Sequence, residues 1–295
     1  MLREALTTAT RSIITDLPHL AAKINRQRQA ARVRTATSER VFPAIVAAAL
    51  GTNPRKALPI CVASALWWIS TDADAPDVQC GAVLAMRHLR TVRAPDSCKL
   101  EWFDEITRST TSVIEARLAN RDGSGRLSRK SVLARHLRSS GAAYARDAAM
   151  AAHLVDEHPV DEWRRFGALY GLMRQLRTDH VRSTVDEVGN PQLVVPPLLV
   201  AHVFHQGNAA VRHELARLRR EASYGGLVRH ELLRELLCSP RAVQAYARDL
   251  RALHGKARAS LDGLETTDEA AAVLRSSLDS ILRLPMPGER EVIGV

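Results

Sequence analysis

Glu162 to Pro191 reads EWRRFGALYGLMRQLRTDHVRSTVDEVGNP, a long helical pattern that runs into three oxygen-bearing side chains, Asp179, Ser183 and Glu187. Their i, i+4, i+8 spacing sets each about 40° round the helix from the last, so the three form a row about 12 Å long on one face. Oxygen donors of this kind suit a hard cation such as Mg²⁺, which commonly joins a few carboxylates to substrate phosphates. Gly189-Asn190-Pro191 then stops the helix. On a solvated face the same side chains would instead pair with Arg174, Arg177 and Arg182 as exposed salt bridges.

The rest of the chain agrees with a helical protein. Its 295 residues suffice for one large domain with a sizeable core. Ala, Leu and Arg dominate and are good helix formers, so the expected class is all-α. The net charge of +10 admits an anionic substrate or a nucleic-acid partner. The basic residues are spread along the chain and no nucleic-acid motif accompanies them, so nucleic acid is not the expected partner. Cys61, Cys80, Cys98 and Cys238 contain no CxxC pair, which signals neither a zinc site nor a disulfide framework. The N-terminus lacks the apolar run of a signal peptide, and Leu58 to Ile69 is too short for a transmembrane segment, which needs about 20 residues. A cytoplasmic protein is expected.

Turn signals divide the chain. Residues 1–37 are read as an N-terminal helix and basic linker, 38–284 as one helical domain, and 285–295 as a flexible tail. From Ser38, two buried helices are joined by Gly51-Thr52-Asn53-Pro54, and the second runs into the acids Asp72, Asp74 and Asp77. On a helix Asp74 and Asp77 share a face, but Pro76 disfavours helix at Ala75, so an acidic interhelix loop is the competing reading. Trp67 and Trp68 precede these acids, either as core or as aromatic faces that stabilise a cation. Two helices broken near Ala94-Pro95-Asp96, a turn-rich loop at 120–129 and a helix from Ser131 to His153 follow. After the break at Pro191 come a short apolar helix and closing helices interrupted at Gly225-Gly226 and Ser239-Pro240.

Phe166-Gly167, Gly171-Leu172 and Gln175 followed by Asp179 resemble the FGxxxGLxxQxxxD run of polyprenyl synthases, which leads into their second aspartate-rich motif. A chain-elongating synthase reads DDxxD there, whereas Asp179 to Ser183 lacks the second and last aspartates. Asp179 to Glu187 fits the (N/D)DxxSxxxE pattern of class I terpene synthases, the sister family, with His180 in place of the second acid. The resemblance spans about 38–282 and leans toward the cyclases. It implies a single isoprenoid-synthase-like bundle of ten or more helices around a deep apolar pocket.

The resemblance also assigns roles. Asp72, Asp74 and Asp77 stand at the first DDxxD motif, with Ala73 at its leading aspartate, and with Asp179, Ser183 and Glu187 they would bind Mg²⁺. Of these, Asp74, Asp77, Asp179 and Glu187 are the expected catalytic acids. Arg40 and Pro43 match the family's GKRLRP block. Glu39, Phe42 and Leu66 replace a lysine, an arginine and a histidine that help hold isopentenyl diphosphate, so the second-substrate site is expected to be lost. Arg138-Ser139-Ser140-Gly141 sits at the family's diphosphate-touching Lys-Thr-Gly, and Arg138 or Arg135 is the expected diphosphate sensor, a role suited to the planar guanidinium. Arg40, Trp67, Trp68, Phe166, Tyr170 and Gln175 complete the expected substrate contacts. The implied reaction is Mg²⁺-assisted ionisation of an allylic isoprenyl diphosphate, with cyclisation of the cation, in a homodimer. Transfer to an unusual acceptor, or an inactive partner subunit of a prenyl diphosphate synthase, are the alternatives.

Overall fold

A computed structural model of the chain describes residues 37–71, 75–121, 128–155, 159–184, 197–223, 232–233 and 235–283. Among the described residues there are eleven α-helices and no strand. They are α1 Thr37–Ala49, α2 Leu58–Thr71, α3 Ala75–Arg90, α4 Asp96–Arg121, α5 Arg129–His136 and α6 Ala142–Ala152. Then come α7 Val160–Thr184, α8 Pro197–Gln206, α9 Ala209–Ser223, α10 Pro240–Asp262 and α11 Asp268–Ile281. No helix of the described residues is long and apolar enough to cross a membrane.

Local chemistry sets the helix ends. Gly51 adopts φ 69°, the left-handed conformation that ends α1. Thr52 N–H reaches Ala47 O at 3.0 Å and Gly51 N–H reaches Ala48 O at 3.0 Å, the paired bonds of a Schellman stop. Asn53 Oδ1 then accepts from Arg55 N–H at 2.9 Å and starts a 3₁₀ turn, Pro54–Ala57, that leads into α2. Pro76 does not interrupt a helix, since α3 begins at Ala75 and leaves the proline in the first turn, where its missing N–H costs nothing. Ser128 opens α5 with a reciprocal cap: its Oγ accepts from Ser131 N–H at 3.0 Å while Ser131 Oγ accepts from Ser128 N–H at 3.1 Å. This cap starts the helix two residues before the expected Ser131.

The expected continuous helix from Ser131 to His153 is interrupted. Leu137–Gly141 forms a π turn that joins α5 to α6. Such a turn holds one residue more than an α turn and redirects the side chains around it.

α6 is the helix on which the core is built. Every residue from Ala143 to Ala152 is buried, so this helix is covered on all sides. Tyr144, Ala148, Ala151 and Ala152 join a cluster with α1, α7, α10 and α11, while Ala143 and Met150 join a second cluster with α2, α3 and α4. Its main partner is α7. A Cβ on Gly167 would collide with Tyr144 O, and one on Gly171 would lie 2.7 Å from Ser140 O. Glycine at both places lets the two backbones approach. The chain closes on itself where Thr267, at the start of α11, donates its N–H to Ala49 O at 2.9 Å and its hydroxyl to Ala48 O at 3.0 Å.

Candidate active site

α7 carries its functional side chains toward the π turn. Gln175 donates from Nε2 to Asp179 Oδ1 at 2.7 Å, one helical turn along, and accepts from Ser140 Oγ at 2.5 Å. Ser140 is a residue of the π turn, so the irregular segment and the acid are joined through one amide. His136, one turn before Ser140, places Nε2 at 3.3 Å from Asp179 Oδ2. Burial, followed by the adjacent Arg135 charge, pushes the His136 imidazole down to about 4, so it stands beside the carboxylate as a neutral ring. Half-buried Arg135 is lowered by burial, with the negative charge of Asp179 opposing the shift.

α10 closes the other side. Tyr246 donates its hydroxyl to Leu176 O and stacks on His180 at 5.5 Å between ring centres. Burial drives the Tyr246 phenol well above its ordinary value, and the charges of Asp179 and Asp249 add to that. Asp249 accepts from Arg129 Nε at 2.7 Å and lies 3.1 Å from His202 Nε2, which ties α10 to α5 and α8. Asp179 and His180 are both buried, at 4% and 2% exposure.

Beneath this polar layer lies an aromatic one. Phe42 of α1 stacks on Tyr170 of α7 at 4.8 Å and meets Tyr144 of α6 edge-on at 5.1 Å. Trp68 of α2, half-buried, lies 6.0 Å from Tyr144. Trp67 points the other way, where its Nε1–H donates to Thr110 Oγ1 at 3.1 Å and the Arg146 guanidinium sits 4.3 Å over its ring. Arg146 in turn donates to Asp147 Oδ1 from Nη2 at 2.7 Å and from Nε at 2.8 Å, and Ser64 Oγ donates to Asp147 Oδ2 at 2.6 Å. This ion pair is fully buried.

The arrangement of helices is similar to that of several solved structures. A geranylgeranyl pyrophosphate synthetase from the archaeon Geoglobus acetivorans superposes with a TM-score of 0.70 at 16% identity, covering 96% of this chain and 99% of that one. A polyprenyl synthetase from Streptomyces coelicolor A3(2) superposes with a TM-score of 0.67 at 18% identity, covering 81% and 82%. A decaprenyl diphosphate synthase from Rhodobacter capsulatus gives 0.69 at 14% identity over 96% and 97%. The chain has the polyprenyl synthase fold. No protein-family model matches it, and no curated protein matches its sequence.

Within the polyprenyl synthase fold, the residues singled out from sequence fall into five groups. Asp179, Gln175 and Arg135 are brought together at the π turn. Arg138, the other candidate sensor, is exposed, and its carbonyl accepts from Ser112 Oγ at 2.9 Å. Trp67, Phe166 and Tyr170 are core residues at 1%, 0% and 3% exposure, and Tyr170 shares a hydrogen bond with Ser277 Oγ at 2.6 Å. Arg40, Asp77 and Ser183 lie on helices whose backbone is described there but whose side chains lie outside the described set. Asp72, Asp74 and Glu187 lie outside the described residues, as do 1–36 and 284–295.

Sequence reasoning missed His136, Tyr144 and Tyr246, and placed Ser140 only within the Arg138 to Gly141 block. One signal was present, since His136 and Ser140 are i, i+4 and therefore share a helix face with each other. As for a metal, Asp179 supplies the hard oxygen donor that Mg²⁺ accepts, held in orientation by Gln175. Among the described residues no three acids, histidines or cysteines converge as a metal cluster. The donor types fit, with the remaining carboxylates of the set lying outside the described side chains.

Proposed function

We infer that this protein binds an allylic isoprenyl diphosphate and ionises it without isopentenyl diphosphate as co-substrate, the carbocation being quenched by cyclisation. The observation that carries this reading is Phe42. It stands where the resemblance puts a diphosphate-binding arginine, and it is 1% exposed, stacked on Tyr170 and edge-on to Tyr144. Leu66, in place of the family's histidine, is likewise buried at 5%. Neither position offers a cation to a second diphosphate.

The chemistry follows from the residue types. Asp179, Glu187, Asp72, Asp74 and Asp77 are the side chains that would hold Mg²⁺, and Ser183 would add a hydroxyl. When bound, the metal neutralises charge on the departing pyrophosphate. Arg135 or Arg138 would hold phosphate oxygens through the guanidinium fork. Gln175 and Ser140 keep the Asp179 carboxylate aimed. Aromatic rings such as Trp68 and Tyr144 present faces that favour a cation, and an apolar surround excludes water from it.

A second reading is transfer of the prenyl group to an acceptor other than isopentenyl diphosphate. What favours it is the likeness to prenyl-chain synthases over 96% of the chain. The two readings separate in one experiment. The purified protein is incubated with Mg²⁺ and geranyl, farnesyl or geranylgeranyl diphosphate singly, and pyrophosphate and hydrocarbon products are measured. Turnover of one diphosphate alone, abolished by Asp179→Ala, supports cyclisation. Turnover only after an acceptor is added supports transfer, and no turnover under either condition refutes both.

A further inference from the structure

We propose that the outer face of α10 is a docking surface for an anionic lipid bilayer. The exposed positions of this helix include Arg241, Arg248, Arg251 and Lys256, interleaved with Gln244, Ala252, Gly255 and Ala259. Of the acids of α10, only Asp262 is exposed on this side, at the last residue of the helix. Asp249 is buried against His202 and Arg129, and Asp262 closes the helix in a pair with Arg275 at 2.9 Å. Among the described residues, none of the four cations makes an ion pair. They line about 22 Å of one helix side.

This face is unfavourable in the isolated protein. Arg241 occupies the first turn, where the positive end of the helix dipole repels a cation. Arg248 and Arg251 are like charges at i, i+3. Neither is offset by a neighbouring acid, and both are relieved when a layer of phosphate lies against the stripe. Ala252, Gly255 and Ala259 are small and leave the basic side chains exposed, with Arg251 Nε donating to Ala247 O at 3.2 Å along the helix. None of the exposed α10 residues is aromatic, which removes the stacking platform that single-stranded nucleic acid requires. A lipid headgroup layer asks only for charge.

The stripe is independent of the candidate site. α10 turns Tyr246 and Asp249 inward, toward Leu176, His180 and His202, and keeps the four cations outward. Substitutions on the stripe therefore leave the inner contacts in place.

The test is co-sedimentation of the full chain with vesicles of phosphatidylcholine alone and of phosphatidylcholine mixed with phosphatidylglycerol. The expected result is binding to the mixed vesicles only, released by salt. Replacing Arg241, Arg248, Arg251 and Lys256 together by Gln should weaken it by at least about tenfold, from the contribution each basic residue makes near such a surface. A matched variant, with Arg55, Lys56, Arg90 and Arg93 replaced by Gln, removes the same charge from other exposed positions and should bind like the parent. Equal weakening in both variants overturns the proposal, because net charge alone would then explain retention. So does absence of binding to the mixed vesicles. Binding to single-stranded nucleic acid without vesicle binding would overturn it in favour of a different polyanion.

Discussion

Alanine in place of Gly167 tests whether the close approach of α6 and α7 underlies this fold. The new Cβ would collide with Tyr144 O and lie 2.9 Å from both the Tyr144 carbonyl carbon and Ala148 Cβ. Unstrained carbon contacts are about 3.5–4.0 Å. The obstruction is main chain and a methyl group, so no rotamer change relieves it and the helices must part. Parting loosens the packing of Tyr144, Ala148, Ala151 and Ala152 in the larger core. Overpacking costs about 1–3 kcal/mol, and a backbone obstruction places this site at about 3. Alanine returns about 1 kcal/mol of helix propensity, leaving a net loss of about 2 kcal/mol. Gly255→Ala is the control, because a Cβ there meets nothing within 4 Å. It should gain about 0.5–1 kcal/mol. Urea unfolding followed by far-UV circular dichroism reads both, with the slope unchanged and the midpoint moving in opposite directions. A Gly167→Ala protein that unfolds at or above the parent midpoint would refute the packing argument.

Further predictions concern buried charge and the candidate site. Arg146→Ala strands Asp147, which is 0% exposed, and should cost about 3–5 kcal/mol in thermal unfolding. Arg146→Met with Asp147→Leu removes both charges and should cost much less. His136 has its folded value lowered from 6.5 to about 4, so above pH 6.5 it is neutral in both states and contributes no pH dependence. As pH falls toward 4 the unfolded chain takes up a proton that the native ring refuses, and about 3 kcal/mol of stability is lost. His136→Gln should flatten that part of the stability–pH profile, and an unchanged profile would show that the ring is not desolvated as described. Gln175→Ala removes the donor to Asp179 Oδ1 and should lower turnover of the diphosphate by about 10–100-fold with the fold intact, the range seen when supports of metal ligands are lost. Unchanged turnover would mean that the Gln175 hydrogen bond to Asp179 does not support the reaction.

Much of the fold was legible because its signals are local. Gly51 ends α1 through a left-handed φ that a chain of L residues otherwise avoids, and Ser239-Pro240 and Ala94-Pro95-Asp96 mark helix starts by the same kind of short-range chemistry. The apolar character of Leu58 to Ile69 appears as α2. The π turn was not legible. It follows from how α6 must sit against α7, with Ser140 O beside Gly171 and Gly141 close to Ala168 O, and no pattern within Leu137–Gly141 announces it.

By itself the sequence determined an all-α chain and its breaks at Gly51 to Pro54, Ala94 to Asp96 and Ser239-Pro240, because helical periodicity and turn chemistry act over a few residues. Only tertiary structure decided that Ser140 reaches Gln175 from 35 positions away, that Tyr246 reaches Leu176 from 70, and that Trp67 receives a buried guanidinium while Trp68 turns to Tyr144. Those contacts depend on which helix faces meet. That choice is made by the summed packing of the bundle, in which a glycine at 167 matters more than any motif around it.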